Sequence, residues 1–276
     1  MHDIRRLAFI GGGNMAAALI GGLIKRGLPA NRVVAADTSP EQLQKLVRDF
    51  GIHAAADNAG AVLGAEAVIL AVKPQQMRAV AQGLAPHVAE SRPLLISIAA
   101  GIPHAALARW FGPRIAVIRT MPNRPALNGF GATGLYAPAN VGAANRALAE
   151  TIMSAVSATV WVEHESQMDT VTALSGSGPA YFFLFMEALE AAAHERGLPR
   201  DVAHRLTLET AFGAAQMARH SAESLAALRE QVTSKGGTTA AALEVLDAAG
   251  LRAIVAHAVA AADRRSAELA AEFGAP

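Results

Sequence analysis

The sequence contains no cysteine, and this absence excludes several kinds of chemistry. Disulfide bonds, thiolate nucleophiles and cysteine-ligated metal sites all need a sulfur that the chain does not supply. Aromatic residues make up only 5% and charged residues 17% of the 276 residues, whereas hydrophobic residues reach 52%. This composition predicts a folded chain with a large core, sized for one large or two medium domains.

An excess of charge of one sign is also absent. The formal net charge is +1 and no run of lysine and arginine occurs, so nucleic-acid binding has little electrostatic support. The nine histidines include no pair three or four residues apart. The sequence therefore predicts no metal site.

Long apolar runs are missing as well: no stretch of about 18 residues is apolar and free of charge, as a membrane-spanning helix requires. Arg5 and Arg6, followed by the apolar stretch Leu7–Ile10, have the pattern of a short signal peptide. The three glycines Gly11–Gly13 interrupt that stretch, which favours a buried strand entering a glycine turn. We therefore expect a cytoplasmic protein without a membrane segment.

The first half of the chain alternates short apolar runs with helical patterns such as Met15–Lys25. Continuous runs of this kind, separated by helices, predict a parallel sheet covered on both faces. The predicted strands are Leu7–Ile10, Val33–Ala36, Ala67–Val72, Leu94–Ile98, Ile115–Ile118 and a late strand at Thr159–Val162.

After about Glu165 every segment has a helical period and is rich in Ala and Leu. The predicted helices are Pro179–Glu195, Arg200–Arg219, Ala222–Gln231, Thr239–Ala248 and Leu251–Phe273. Tyr181–Ala193 is apolar on more than one face, which is typical of a helix in a core or an interface. We expect an obligate dimer.

A Gly-x-Gly-x-x-Ala pattern, Gly11 to Ala16, follows the first strand and opens the first helix. Gly11 permits a tight turn, Gly13 lets a pyrophosphate approach the backbone, and Ala16 lets the helix pack close to the strand. Free N–H groups at the helix start favour the phosphates. The pattern alone is weak, but the complete strand–turn–helix context predicts a dinucleotide site. The alternative is a purely structural turn.

Asp37 follows the second strand, at the place of an acid that binds the ribose hydroxyls of a dinucleotide. The alternative is a solvated turn aspartate. The helix after it begins with a predicted capping box, in which Ser39 is the N-cap, Pro40 takes the first helical position and Gln42 completes the box. Together these features predict an α/β Rossmann domain over residues 1–164 and an all-α domain over residues 165–276, with the boundary near Glu163–Gln167.

Two further glycine-rich stretches stand at helix starts. Val232–Thr239 resembles an anion cradle for a small carboxylate, with hydroxyls at Ser234, Thr238 and Thr239. An ordinary helix cap is the alternative. Leu174–Tyr181 predicts a tight turn, for which close helix packing and a role in a site both stay open.

Five stretches together resemble the pyrroline-5-carboxylate reductase family, in the order in which that family has them and over nearly the whole chain. They are Phe9–Met15, Ala71–Gln75, Arg119–Asn123, Asp169–Tyr181 and Val232–Thr239. The last stretch is the most specific to that family. The chain departs from common family forms at Arg124, at Lys235 and around Ala222 and Glu223, where many members carry an acid near the substrate.

The resemblance implies reduction of the cyclic imine 1-pyrroline-5-carboxylate to L-proline by hydride from NADPH or NADH, the last step of proline biosynthesis. It also implies a helical dimerisation domain, a homodimer or higher oligomer, and a small-molecule substrate. The implied cofactor-binding residues, with Asp37 added from its position, are Gly11, Gly13, Asn14, Met15, Asn58, Ala71, Val72, Lys73, Pro74 and Asn123. The implied substrate-binding residues are Ser234, Gly237, Thr238 and Thr239.

Thr239 is the one candidate catalytic residue, because the resemblance places its hydroxyl opposite the ring nitrogen. A threonine hydroxyl is a poor acid, so we expect it to orient the substrate while water delivers the proton. No His–Asp or His–Glu motif is present, which suits a reaction that mainly needs the two carbons held at contact distance.

Two other functions use a similar architecture. A β-hydroxyacid dehydrogenase usually carries a lysine in an Asn-x-x-x-Lys helix after the boundary, where Leu174–Tyr181 has Ser, Gly and Pro instead. A dinucleotide-sensing protein would not need the second cradle. Cofactor preference stays open, because Asp37 favours NADH, the family often uses NADPH, and no arginine stands between Thr38 and Gln42 to clamp a phosphate.

Overall fold

The computed structural model describes residues 4–275, which form a sheet-containing first part and a helical second part. The strands are β1 Leu7–Ile10, β2 Val33–Ala36, β3 His53–Ala54, β4 Ala67–Leu70, β5 Leu94–Ser97, β6 Val117–Met121, β7 Gly131–Tyr136 and β8 Ser157–Trp161. The helices are α1 Asn14–Lys25, α2 Pro40–Phe50, α3 Asn58–Val62, α4 Pro74–Ser91, α5 His104–Phe111, α6 Ala143–Met153, α7 Gln167–Val171, α8 Gly178–Glu195, α9 Arg200–His220, α10 Leu225–Gln231, α11 Thr238–Ala248 and α12 Leu251–Phe273. The predicted fold class is confirmed.

The strands form one sheet in the order β3-β2-β1-β4-β5-β6-β7-β8. The chain moves outward from β1 to β3 and then crosses back to β4, so the strand order reverses between β1 and β4. In open parallel sheets a ligand binds at the carboxyl ends of the strands beside such a reversal. The fold therefore puts the loops after β1 and β4 at the centre of the candidate site.

Both faces of the sheet are buried, which explains the continuous apolar runs. In β1, Leu7 and Phe9 point into one core, whereas Ala8 and Ile10 point into the other. Helix α1 adds Leu19, among other apolar side chains three and four residues apart, to the first of these cores. Each leucine buried in this way stabilises the fold by about 1.5–3 kcal/mol.

The predicted parallel sheet has one antiparallel pair, because β7 runs antiparallel to β6. The short strand β3 and the whole of β7 are absent from the predicted strands. Strand β7 contains two glycines, which disfavour a strand in sequence-based prediction, yet in the structure each allows close packing. A Cβ at Gly131 would lie 2.2 Å from Ser157 Oγ, and one at Gly134 would lie 2.5 Å from Val171 Cγ1.

The predicted strand Ile115–Ile118 is also displaced along the chain, since β6 spans Val117–Met121. Ile115 lies in the turn after Gly112, where its N–H donates to the Gly112 carbonyl. The following residues then pair with β5.

The chain divides into two compact units, residues 4–177 with 261–275, and residues 178–260. The second unit begins at residue 178, whereas the predicted boundary between the dinucleotide-binding domain and the helical domain lies after residue 164. That functional boundary stays a prediction. In the first unit, residues of α12 beyond 260 bond to α7: Ser266 Oγ donates to Asp169 Oδ1 at 2.7 Å, and Thr170 Oγ1 donates to Asp263 Oδ1 at 2.7 Å.

The second unit buries very little of itself. Within residues 178–260, all of which the structure describes, only Gly178, Ala203 and Thr207 are buried. Large apolar side chains instead face outward, including Phe182, Phe183, Leu184, Phe212, Leu225, Val245 and Ile254. Among residues 4–275 no single helix is long and apolar enough to cross a bilayer, although α11 and α12, bent by 53°, together meet that test by length and composition.

Candidate active site

The glycine turn after β1 has the backbone that the motif predicts. Gly11 has a φ of +97°, which favours glycine, and its N–H donates to the Ala36 carbonyl at 2.8 Å. A Cβ at Gly11 would lie 2.6 Å from the Ala71 carbonyl oxygen. The turn therefore lies directly against the start of the loop after β4, and the two predicted cofactor segments, Gly11–Met15 and Ala71–Pro74, are brought together.

Open space lies above Gly13, where a pyrophosphate would approach. A Cβ at Gly13 would meet no atom within 4 Å, and no side chain caps the amino terminus of α1. Asn14, the first residue of α1, is exposed, and Met15 is half-buried. An uncapped helix start with accessible N–H groups fits an anionic group, so these residues suit the dinucleotide that the motif implies.

The Gly12 peptide is held from both sides. Its N–H donates to Asp37 Oδ2 at 2.6 Å, and its carbonyl accepts from Gln42 Nε2 at 2.5 Å. The predicted N-cap is confirmed, because Ser39 Oγ accepts from the Gln42 N–H at 3.2 Å. The rest of the capping box is wrong: Gln42 reaches the glycine turn, and the Ser39 N–H donates to Asp37 Oδ1 instead.

Asp37 stands at the carboxyl end of β2, as predicted for an acid that binds ribose. Each of its carboxylate oxygens accepts one backbone N–H, from Gly12 at 2.6 Å and from Ser39 at 2.7 Å. The carboxylate therefore helps to shape the turn, and ribose hydroxyls would have to use its remaining lone pairs.

The other predicted cofactor residues fall into two settings. Ala71 and Val72 are half-buried, and Lys73 is exposed just before Pro74, the first residue of α4. Asn58 is the first residue of α3. Asn123, by contrast, is buried and is bonded to the protein at both ends of its amide: its Oδ1 accepts from the Ala132 N–H at 2.9 Å and its Nδ2 donates to the Ser175 carbonyl at 3.0 Å.

The second cradle forms at the start of α11, within the second unit. Gly236 has a φ of +71°, and the Gly237 N–H donates to the Ser234 carbonyl at 3.0 Å, which closes a tight turn. Gly237 is the N-cap of α11, and no side chain caps this helix. Ser234 and Thr238 are exposed and Thr239 is half-buried. This turn exposes hydroxyls and free N–H groups at a helix start, which suits a carboxylate.

The Ser-Gly stretch is not the predicted tight turn. Residues Thr172–Gly176 instead form a π-helical turn between α7 and α8, and the Ser177 N–H donates to the Thr172 carbonyl at 2.8 Å. The Ser175 carbonyl accepts from Asn123, and Gly176 makes room for Met121, whose Cε would lie 2.6 Å from a Cβ there. Such turns commonly interrupt helices at functional sites.

A cluster of Glu165, Arg119 and His104 was not predicted from the sequence. Oε1 of Glu165 accepts from Arg119 Nη1 and from the His104 N–H, both at 2.5 Å. The ring of His104 packs edge-on against Tyr136 with centroids 6.4 Å apart. Burial lowers the pKa of His104; Glu165 opposes this shift and Arg119 adds to it. The signal in the sequence was a lone arginine inside an apolar strand, Arg119, which needs a buried partner. Among the residues described, no three His, Asp or Glu side chains are grouped to hold a metal ion.

Known proteins are similar to this chain over nearly its whole length, and two family models match parts of it. A family model described as pyrroline-5-carboxylate reductase dimerisation matches residues 165–269, and one described as NADP oxidoreductase, coenzyme F420-dependent, matches residues 6–101. A pyrroline-5-carboxylate reductase of Pseudomonas aeruginosa is 52% identical over 98% of this chain and 98% of its own. One from Haemophilus influenzae is 43% identical over 97% and 98%.

Solved structures extend the likeness to the whole fold. A pyrroline-5-carboxylate reductase from Coxiella burnetii has a TM-score of 0.94 and 42% identity, covering 97% of this chain and 99% of that one. A pyrroline carboxylate reductase from Plasmodium falciparum with NADP bound has a TM-score of 0.85 and 28% identity, covering 98% and 99%. The identity and coverage of these relatives show that the chain belongs to the pyrroline-5-carboxylate reductase family.

Proposed function

We propose that this protein reduces 1-pyrroline-5-carboxylate to L-proline with hydride from NADPH or NADH, the last step of proline biosynthesis. The single observation that carries the proposal is the presence of two uncapped helix starts behind glycine turns, one at α1 and one at α11, in a chain that matches a member of this family over 98% of its length. The first turn suits a dinucleotide and the second suits a small carboxylate.

The cofactor supplies the hydride when bound, and the protein supplies its position. In this proposal Gly11, Gly13, Asn14 and Met15 hold the pyrophosphate, and Asp37 meets the ribose. Ala71, Val72, Lys73 and Pro74 border the cofactor, with Asn58 nearby. Asn123 acts differently from the other ten, because both ends of its amide bond to the protein; it holds the π-helical turn in place beside β6.

The substrate carboxylate binds at the start of α11 in this proposal, among Ser234, Gly237 and Thr238. The Thr239 hydroxyl accepts or donates a hydrogen bond at the ring nitrogen and orients the imine. It does not supply the proton, which comes from water. The cyclic iminium is already a good electrophile, so orientation and exclusion of water are the main demands on the protein.

The proposal includes a homodimer formed through residues 165–276. The outward apolar side chains of α8 and α9 support it, and so does the match of a dimerisation model to residues 165–269. Residues 1–164 then act as the dinucleotide-binding domain. We place the protein in the cytoplasm, where reduced nicotinamide cofactors are regenerated, with no role for nucleic acid or membrane.

The test is conversion of the imine by the purified protein. Pyrroline-5-carboxylate is incubated with NADPH or NADH, and proline is quantified by mass spectrometry beside cofactor absorbance. A panel of 3-hydroxy acids with the oxidised cofactors is the control, because a β-hydroxyacid dehydrogenase would oxidise one of them. Absence of proline with both cofactors would contradict the proposal.

A further inference from the structure

A single carboxylate oxygen joins three separate parts of the first unit. Oε1 of Glu165 accepts from the guanidinium of Arg119 in β6 and from the backbone N–H of His104, the first residue of α5. The Arg119 side chain is only 9% exposed and that of Glu165 is 30% exposed, so solvent screens this contact incompletely. Arg119 is a buried charge that depends on this partner, because an unpaired buried charge is strongly destabilising.

Glu165 also caps a helix that has no cap of its own. The N-cap of α5 is Pro103, and no side chain within the helix bonds to its first turn. A carboxylate at this position satisfies a free N–H and interacts favourably with the helix dipole. Glu165 is 61 residues away from His104 in sequence, so it fixes the entry of α5 from outside.

The segment that enters α5, residues 98–103, lies beside the candidate cofactor site. The Ile98 N–H donates to the Leu70 carbonyl at 3.2 Å, which ties the exit of β5 to the exit of β4, where Ala71–Pro74 begin. On its other side the segment packs on α12: a Cβ at Gly101 would lie 3.4 Å from both Leu269 and Phe273. Apolar packing thus holds one side of the segment and Glu165 holds its end.

We infer that Glu165 is a positioning residue for hydride transfer: its carboxylate holds residues 98–104 in the place where they border the nicotinamide end of the cofactor. This inference rests on the proposed function. The pyrophosphate and ribose residues, Gly11–Met15 and Asp37, lie on the β1 and β2 side of the strand-order reversal, whereas residues 98–104 follow β5 on its other side. Loss of Glu165 therefore disturbs the orientation of the reacting ring more than the affinity for the dinucleotide.

A merely structural ion pair would behave differently. Replacing one partner would lower the melting temperature, and turnover well below that temperature would stay the same. A misplacement of about 1 Å at a reacting centre can slow a reaction by up to about a hundredfold. The split between turnover and cofactor affinity therefore separates the two roles.

The test compares Glu165→Gln and Glu165→Ala with wild type, with Glu268→Gln as the matched control. Glu268 forms an exposed pair with Arg265 in the same unit. We measure kcat and KM for the imine, Kd for NADPH by fluorescence, the melting temperature, and hydrogen exchange at the His104 amide. Gln keeps an acceptor for the His104 N–H but loses the charge, so its effect should be the milder one.

We expect kcat to fall about tenfold or more in Glu165→Ala and less in Glu165→Gln, with Kd for NADPH changed less than about threefold and exchange at His104 accelerated. Glu268→Gln should match wild type. Equal kcat in wild type and both Glu165 variants would overturn the inference, and so would a parallel loss of kcat and NADPH affinity. If wild type itself makes no proline, the proposed function fails, and unchanged exchange at His104 would still refute the positioning contact.

Discussion

The two compact units of this chain bury their apolar residues to very different extents. The first unit closes both faces of its sheet, and Leu7, Phe9 and Ile10 are completely buried. The second unit leaves Phe182 70% and Leu184 68% exposed on one helix, α8. Because hydrophobic contacts dominate folding free energy, the first unit has a core of its own, whereas the second depends on a covering surface. A second copy of the chain supplies that surface in the proposed homodimer.

The largest expected effect comes from a substitution that disrupts the apolar surface of the second unit. Phe182→Asp puts a charge into the apolar surface of α8, and an unpaired charge in an apolar interface costs several kcal/mol, or several factors of ten in association. We expect the molar mass from light scattering to fall to that of one chain, with loss of proline formation.

The control for this variant is Leu63→Asp in the first unit, where Leu63 is 74% exposed beside α3. It should keep both the mass and the activity of wild type. If Phe182→Asp also keeps the wild-type mass, α8 does not contribute to the self-associating surface.

The next effect tests the chemistry assigned to the second unit. Thr239→Val keeps the shape and removes the hydroxyl, so a lost hydrogen bond of roughly 1–3 kcal/mol should lower kcat/KM for the imine about tenfold to a hundredfold. NADPH affinity and the circular dichroism spectrum should stay at wild-type values. Thr159→Val, the same change on β8 in the first unit, is the control. If Thr239→Val keeps the wild-type kcat/KM, the Thr239 hydroxyl does not contact the substrate and the residue only begins a helix.

A smaller effect tests the first unit. We expect both cofactors to work, with a preference below about a hundredfold, or about 2.7 kcal/mol. Asp37→Ser should shift the kcat/KM ratio toward NADPH, because it removes a charge that repels a 2′-phosphate by about 1 kcal/mol at 4 Å in water. KM for the imine, whose site is assigned to the second unit, should hardly change.

Since Asp37 also accepts two backbone hydrogen bonds, Asp37→Asn, which keeps one acceptor oxygen, separates the charge from the turn geometry. Asp49→Asn at the other end of α2 is the control for a surface charge. An unchanged cofactor ratio in both Asp37 variants would show that this residue does not face the ribose.

The smallest effect is a pH dependence of the stability of the first unit. The pKa of His104 lies below its ordinary 6.5, because burial disfavours the imidazolium and Arg119 acts in the same direction, although Glu165 opposes it. The unfolded chain therefore binds a proton on this imidazole more readily than the folded chain does. The free energy of unfolding keeps its full value above about pH 6.5 with respect to His104, and it declines as the pH falls below that value. His104→Asn should show a shallower fall of the urea midpoint between pH 8 and pH 5; equal slopes would contradict the assignment.

Local signals in the sequence predicted most of the first unit correctly. Strands β1 and β2 and the start of α2 match their predicted positions, because apolar runs, glycine turns and Ser39–Pro40 determine structure over a few residues. Strand β7 was missed because its glycines serve packing against Ser157 and Val171, which are distant in sequence. A single sequence does not show such partners.

The candidate site divides in the same way. The glycine turn followed from the motif, and the family resemblance implied that Ala71 lies along the same cofactor. The hydrogen bonds that join Gly12 to Asp37 and to Gln42 were not predicted. The contacts among Arg119, Glu165 and His104 were not predicted, although Arg119 stands out in its apolar strand. The three residues lie in β6, in the segment before α7, and in α5, respectively. Tertiary contacts that join polar groups across tens of residues leave no periodic pattern in the sequence.

The bonds from α7 to the far part of α12 have a consequence for how the chain is made. Asp169 and Thr170 find their partners Ser266 and Asp263 only after the whole helical segment between them has been synthesised. Ribosomes add about 5–20 residues per second, so roughly 5–20 s pass between the synthesis of residue 177 and that of residue 275. During that interval the nascent first unit has its sheet but lacks the end of α12. The surface around Gly101 is therefore exposed until Leu269 and Phe273 have been synthesised and pack on it.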